Sequence, residues 1–92
     1  MLIEVVTTVE NEVVPIQHCV SEVIGWRKEE AAIVYVLHPS AFTTWEGEVL
    51  AANLTIFEGR DAQLELKLES GAGEILDCFC KEVEKYPPLK ED

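Results

Sequence analysis

Positive charge is scarce in this chain. Its 92 residues include 7 Lys and Arg against 18 Asp and Glu, which gives a formal net charge of -11 at pH 7. A field of this sign repels phosphate groups, so charge-driven binding to nucleic acid or to anionic lipid is disfavoured. The same field favours a basic protein as partner. In the plainer interpretation, the acidity only keeps a small domain soluble.

Cysteines and long apolar runs are also few. The three cysteines are an odd number, and they lack the spacing of a secreted disulfide scaffold. No apolar run approaches the ~20 residues that span a bilayer. The first residues, Met1 to Glu4, do not resemble a signal peptide. We therefore expect no membrane association and a cytoplasmic, reducing environment.

Hydrophobic residues, by contrast, are plentiful at 48% of the chain. That fraction is typical of a globular protein and too high for a disordered one. A chain of this length can bury a core without help from a metal ion or a disulfide. We predict one domain over residues 1–88, followed by a short acidic tail at 89–92.

The clearest local pattern is the alternation of apolar residues between Glu48 and Glu69. Two runs with every second residue apolar flank a turn-forming sequence at 58–61. The runs are Leu50, Ala52, Leu54, Ile56 and Ala62, Leu64, Leu66, Leu68. This pattern predicts a β-hairpin with one buried face. Its outward positions carry solvating side chains, with no cluster that performs chemistry.

Two other segments have apolar residues at helical spacing. The first follows Glu12 or Pro15 and ends near Gly25, and the second lies between the glycine-containing link at 70–73 and the pair Pro87–Pro88. The two stripes are Val13, Ile16, Cys19, Val20, Val23, Ile24 and Ala72, Ile75, Leu76, Phe79, Cys80, Val83, Tyr86. Each stripe predicts an amphipathic helix.

Strand-like segments complete the layout. Residues 2–9 are rich in β-branched side chains, and residues 31–37 are apolar at both parities, as in a central strand. The predicted order is therefore β-α-β-β-β-α. The predicted fold class is α+β, a two-layer sandwich in which both helices pack on one face of a four-stranded sheet.

This layout resembles that of the bacterial ribosome-hibernation factors, whose domain has the same element order and nearly the same length. The resemblance covers the whole chain as element order and spacing, including a first helix that ends near Trp26, and no sequence motif carries it. It implies a ribosome-associated role in stress, in which Lys and Arg on the helices hold ribosomal RNA. The second predicted helix has Lys81 and Lys85 among several acidic residues.

The cysteines are the first candidates for chemistry. Cys78 and Cys80 would point about 200° apart on the predicted helix, so they could neither share a metal ion nor form an unstrained disulfide. Cys80 is then expected in the core and Cys78 toward solvent. By the same reasoning Cys19 lies on the buried stripe and His18 on the wet face.

The remaining candidates are weaker. His38 ends a strand before a proline, and the sequence assigns it no nucleophile or carboxylate partner. The link Gly71–Gly73 precedes the second helix but lacks the Lys and Ser/Thr of a phosphate-binding loop. We therefore expect no catalytic residue, no cofactor and no metal site, and the chain is predicted not to be an enzyme.

Aromatic residues supply the candidate binding sites. Phe42 and Trp45, in the loop 39–47, either anchor a partner or fold back over one end of the sandwich. Phe57 should face away from the helices, joined by Tyr35 or its neighbours. The predicted outer positions of that strand are Val49, Ala51, Asn53, Thr55 and Phe57.

These features together predict a small, acidic, non-enzymatic protein-binding or regulatory module. A second copy of the chain would cover the apolar outer face of the sheet, so we expect a homodimer. A basic or apolar surface of another protein would contact the aromatic loop or the acidic helix face. Two alternatives stay open: a ribosome-associated stress factor of the hibernation type, and an inhibitor of a basic protein that mimics nucleic acid.

Overall fold

Six β-strands form one closed antiparallel barrel. In this computed structural model, which describes residues 1–83, each strand pairs with the next along the chain, and the last strand pairs with the first. The strands are β1 (Leu2–Thr7), β2 (His18–Glu29), β3 (Ala32–Leu37), β4 (Val49–Phe57), β5 (Ala62–Leu68) and β6 (Gly73–Val83), and a 3-10 turn spans Pro39–Ala41. Because β1 and β6 pair with each other, residues 1–83 present no open sheet edge.

The predicted α+β sandwich is wrong, because neither predicted helix forms. Residues 12–17 belong to a loop and residues 18–29 form β2, while the second predicted helix is β6 as far as Val83. Its remainder, with the stop at Pro87–Pro88 and the tail at 89–92, lies outside the described residues. The element order behind the resemblance to the hibernation factors is not present in residues 1–83, so the resemblance lends no support here.

The hairpin predicted between 48 and 69 is confirmed as β4 and β5. Leu54 lies opposite Leu64 across the two strands, and both are fully buried. Gly59 in the connecting turn has a φ of 75°, a conformation that glycine adopts without steric penalty. The strand predicted at 31–37 is confirmed as β3.

A β-bulge at Leu50 changes which residues of β4 face outward. The register shifts between Val49 and Ala51, so Val49 is buried and Leu50 is exposed. The prediction placed Val49 on the outer face and Leu50 on the buried face, so both positions are corrected. A similar irregularity at Ile24 lies between Val23 and Gly25 in β2.

Apolar side chains fill the barrel interior. The core cluster includes Ile3, Val5, Leu37, Ala52, Leu54, Leu64, Leu66, Leu68, Leu76 and Cys78. A barrel with so few strands is narrow enough for its own side chains to occupy the interior, so it is a packed core and not a ligand channel. Within residues 1–83 there is no helix with the length and hydrophobicity that a membrane crossing would require.

The barrel has two distinct ends. Its lower end is formed by the loops 8–17, 38–48 and 69–72, and its upper end by the turns at 30–31 and 58–61. The loops of the lower end close over the interior and are joined to one another by hydrogen bonds. This end therefore holds long loop segments on a rigid base.

Candidate protein-binding surface

The loops of the lower end carry acidic side chains and no basic ones. The segments 8–17, 38–48 and 69–74 contain no Lys or Arg. They carry carboxylates at Glu10, Glu12, Glu46, Glu48, Glu69 and Glu74, which are exposed except for the half-buried Glu74. The upper end has both signs of charge, because Arg27, Lys28 and Arg60 lie there beside exposed carboxylates in the segments 29–30 and 58–61.

Large apolar side chains are exposed among these carboxylates. Trp45 is 58% exposed, Ile16 55% and Val9 67%. An exposed tryptophan can contribute a large contact area while few bond rotations are restricted on binding. The lower end therefore combines acidic charge with apolar contact area.

The backbone around Trp45 is held in place. The Trp45 amide donates to the Val13 carbonyl over 2.8 Å, which ties loop 38–48 to loop 8–17. The Thr44 hydroxyl donates to the Gly47 carbonyl and accepts from the Glu46 amide. These bonds fix the direction of the loop before any partner arrives, and such preorganisation lowers the entropic cost of binding.

Asn11 organises the neighbouring loop. Its Oδ1 accepts hydrogen bonds from the amides of Val13 and Val14 at 2.8 and 2.7 Å, a side-chain turn that asparagine forms readily. Its Nδ2 donates to Glu74 Oε1 over 3.0 Å, which joins loop 8–17 to the start of β6. Loop 8–17 is thus linked by hydrogen bonds both to loop 38–48 and to the start of β6.

The structure separates the four residues predicted as a partner-binding set. Phe42 is 4% exposed and packs in the core, so it folds back over the lower end. Trp45 is exposed. Tyr35 lies opposite the buried Leu54 and faces the interior, so it does not join Phe57 on an outer face.

Phe57 does lie on the outer wall, as predicted, but it is half-buried. The Arg60 guanidinium carbon lies 4.0 Å from the centre of its ring, a cation–π contact that covers part of its surface. On the outside of β4, Arg60 thus shields part of Phe57, while the bulge exposes Leu50 in place of Val49. The sequence prediction placed Ile75 and Phe79 on the buried stripe of a helix, but both are exposed on the outside of β6. No alternation of polar and apolar residues in 73–83 could have identified them.

Two histidines have polar partners. His38 Nδ1 lies 2.9 Å from the Ser40 hydroxyl, on an exposed loop. A serine nucleophile also needs a group that orients the histidine and donors for a developing oxyanion, and the contacts of His38 within residues 1–83 supply neither. His18 pairs with Glu4 on the outer wall, and this hydrogen bond lowers the pKa of the Glu4 carboxyl.

The three cysteines all face the interior. Cys19 and Cys80 lie on either side of Val5, and Cys78 is 3% exposed. The expectation that Cys78 points to solvent is wrong, because residues two apart in a strand share a face. Within residues 1–83 no three His, Cys, Asp or Glu side chains converge as metal ligands.

Burial suppresses thiol reactivity at these positions. Burial raises the pKa of the Cys19 thiol to about 11. The pKa of the Cys78 thiol is raised to about 12, and burial is the main cause. Burial also raises the pKa of Cys80. A thiol with a raised pKa stays protonated at neutral pH and is a weak nucleophile.

Comparisons of the chain with protein-family models, with curated proteins and with solved structures found no match. The function is therefore inferred from the surfaces of the barrel alone.

Proposed function

We propose that this protein is a non-enzymatic binding module whose lower end binds a basic and apolar segment of another protein. One observation carries the proposal: exposed Trp45, Ile16 and Val9 lie in the lower-end loops, which carry carboxylates and no Lys or Arg. Lys and Arg of a partner would meet the carboxylates, and its apolar residues would cover Trp45. The acidic rim would mainly speed association and select the partner, while the tryptophan would supply much of the affinity.

Several features support a binding role over catalysis. The interior is packed, the thiols are held protonated by burial, and among the side chains of residues 1–83 the His38 imidazole hydrogen-bonds only to Ser40. Three free thiols also fit the proposed reducing cytoplasm.

The experiment is affinity capture from a native lysate, with two matched tryptophan variants. Trp45→Ala removes the exposed tryptophan of the lower end, and Trp26→Ala removes one that is 65% exposed on β2. We expect Trp45→Ala to abolish capture of a specific protein and Trp26→Ala to preserve it. Loss of a central aromatic residue typically costs about 2 kcal/mol or more, roughly thirtyfold in affinity.

Charge reversal tests the second half of the proposal. Glu46→Lys combined with Glu48→Lys should weaken capture of the same protein, and so should added salt, because both reduce attraction to basic residues. Equal capture by wild type, Trp45→Ala and the charge-reversed variant would contradict the proposal. Co-sedimentation with ribosomes, or competition by DNA for the captured protein, would instead favour the hibernation role or the mimicry of nucleic acid.

A further inference from the structure

The outward-facing residues of β6 have apolar side chains at matching distances on both sides of a central Phe79, but opposite charges on its two sides. Ile75, Asp77, Phe79, Lys81 and Val83 occupy alternate positions of the strand, so they share its outer face. Phe79 lies at the centre, with opposite charges two positions away and aliphatic residues four positions away. Ile75 is 63% exposed and borders Val9 of the lower end, while Phe79 is 59% exposed farther along the strand.

A shallow depression lies beside the central aromatic ring. It has a volume of about 280 Å³ and is lined by Phe79, Val6, Glu4, Cys80 and Lys81. Val6 is the cross-strand neighbour of Phe79 on β1, so an apolar floor continues from β6 onto β1. The depression could receive an apolar side chain from outside.

The charges that flank Phe79 are not committed to ion pairs inside the barrel wall. Among the described residues, neither ion pair involves Asp77 or Lys81; the pairs are His18 with Glu4 and Arg27 with Glu29. Glu4 lies across from Lys81 on β1, but the hydrogen bond of the Glu4 carboxylate goes to His18; this bond lowers the Glu4 pKa, and the Lys81 charge adds to the lowering. Asp77 and Lys81 can therefore meet charges on another molecule.

We propose that the outer face of β6 is a self-association surface, on which two copies of the chain dock about a two-fold axis beside Phe79. In such a contact, residue i of one copy meets residue j of the other, and the reverse contact occurs as well. Asp77 of each copy then faces Lys81 of the other, and Ile75 faces Val83. Each Phe79 ring enters the depression beside the ring of the second copy.

The charge order is what selects a second copy as the occupant. A purely basic partner would use Asp77 but repel Lys81, and an acidic partner would do the reverse. A second copy presents both charges in the required order. This surface differs from the β4 face on which the sequence predicted self-association; on β4, Val49 is buried, Arg60 covers part of Phe57 and Leu50 is exposed.

Two physical factors limit the strength of this contact. The walls of two barrels are convex, so the contact falls at the low end of interface sizes, below about 1,200 Å² in total, and the dimer should be weak and reversible. The net charge of -11 on each copy opposes association, but the screening length at physiological ionic strength is only about 8 Å. We therefore expect a monomer–dimer equilibrium that depends on protein concentration.

Sedimentation equilibrium over a series of protein concentrations tests the proposal. The mass should rise from the 10.3 kDa of one chain toward twice that value. In the proposed dimer, residue 77 of each copy faces residue 81 of the other, so Asp77→Lys brings two lysines together in both contacts and Lys81→Asp brings two aspartates together in both. Each variant should therefore weaken the dimer about tenfold or more. A mixture of the two single variants should associate again, because each then supplies the charges that the other lacks. The variant with both substitutions should also regain the dimer.

A pair of glutamate variants separates this face from general charge effects. Phe79→Glu should abolish the dimer, whereas Leu50→Glu adds the same charge at a residue of similar exposure, 56%, on β4 and should leave it intact. Far-ultraviolet circular dichroism and thermal unfolding confirm that each variant is folded. A mass that stays at one chain at every concentration would overturn the proposal. So would a mixture of Asp77→Lys and Lys81→Asp that does not associate, or equal losses in Phe79→Glu and Leu50→Glu. Trp45→Ala should not affect the dimer, so this result is independent of the lower-end binding function.

Discussion

Replacing Phe42 by alanine should destabilise the barrel far more than replacing Trp45 by alanine, although both lie in one loop. Phe42 is 4% exposed and packs in the core, whereas Trp45 is 58% exposed. Truncating a buried phenylalanine removes its transfer free energy and leaves a cavity, which together cost about 3–5 kcal/mol. Truncating the exposed tryptophan should cost no more than about 1 kcal/mol, as is usual for surface positions.

These magnitudes are large enough to measure by urea and thermal unfolding. A domain of this length is stable by roughly 5–14 kcal/mol, so Phe42→Ala should remove a large share of the total. One kcal/mol shifts the Tm of a domain of this size by about 4–8 °C, so the expected loss exceeds about 12 °C for Phe42→Ala. Phe42→Leu keeps much of the apolar volume and should recover a large part of this loss.

The opposite ranking would refute the reasoning. If Phe42→Ala lowered the free energy of unfolding by less than about 1 kcal/mol, Phe42 would not close the lower end. If Trp45→Ala were as costly as Phe42→Ala, Trp45 would be part of the packing and could not serve as an exposed binding residue. Equal denaturant dependence in the variants and wild type would show that the comparison concerns folded-state packing.

Three further predictions concern buried polar and titratable groups. Thr7→Val should cost about 1–3 kcal/mol in urea unfolding, because the buried backbone N–H of Gln17, which donates to the Thr7 hydroxyl over 2.8 Å, loses its acceptor. Folding raises the pKa of Cys78 to about 12, so the free energy of unfolding should fall as pH rises from about 9, where the unfolded thiol ionises. Cys78→Ala should reduce that slope. His18→Ala should raise the pKa of the Glu4 carboxyl toward its ordinary value, and carboxyl-carbon NMR can follow this change. The small stabilisation from the pair is present at pH values above the ordinary pKa of a glutamate. It is lost as the pH falls through the lowered pKa of Glu4.

Each of these has a clear contrary outcome. Unchanged stability in Thr7→Val would mean that the backbone N–H of Gln17 finds another acceptor. Thiol modification of Cys78 at equal rates in folded and urea-unfolded protein would show that it is accessible. An unaltered Glu4 titration in His18→Ala would show that the pair does not persist in solution.

The hairpin was predictable because its two faces differ in polarity. In β5, Leu64 and Leu66 face the core while Glu65 and Lys67 face water, so the period of two is visible in the residues themselves. The turn sequence at 58–61 added a second, independent signal. Local pattern and tertiary environment agree here, and the structure follows both.

The last strand was not predictable in the same way, because its outer face is also apolar. Ile75 and Phe79 outside, with Leu76 and Cys80 inside, give apolar residues at three- and four-residue intervals, which is the signature of a helix. Only the pairing with β1 and β5, whose partners are distant in sequence, decides for a strand. The residues that misdirected the fold prediction are the exposed ones that now suggest an interface.

The candidate surface was partly predictable for a similar reason. Trp45 stood out in the sequence as a large aromatic residue in a polar loop, and the structure does expose it. The concentration of carboxylates around it was not visible, because segments 8–17, 38–48 and 69–74 are brought together only when the barrel closes. Tyr35 was assigned to the wrong face because β3 is apolar on both of its faces.

The pairing of β1 with β6 also constrains how the chain must fold during its synthesis. Leu2 of β1 lies opposite Val83 of β6, so one edge of β1 stays unpaired until β6, the last strand of the barrel to be synthesised, has formed. Pairings of such long sequence separation form slowly, and until then β1 and β5 each offer an open edge to other chains. A newly made chain is therefore most exposed to misassociation between the emergence of β5 and the docking of β6, and translation pauses in that interval would prolong the risk.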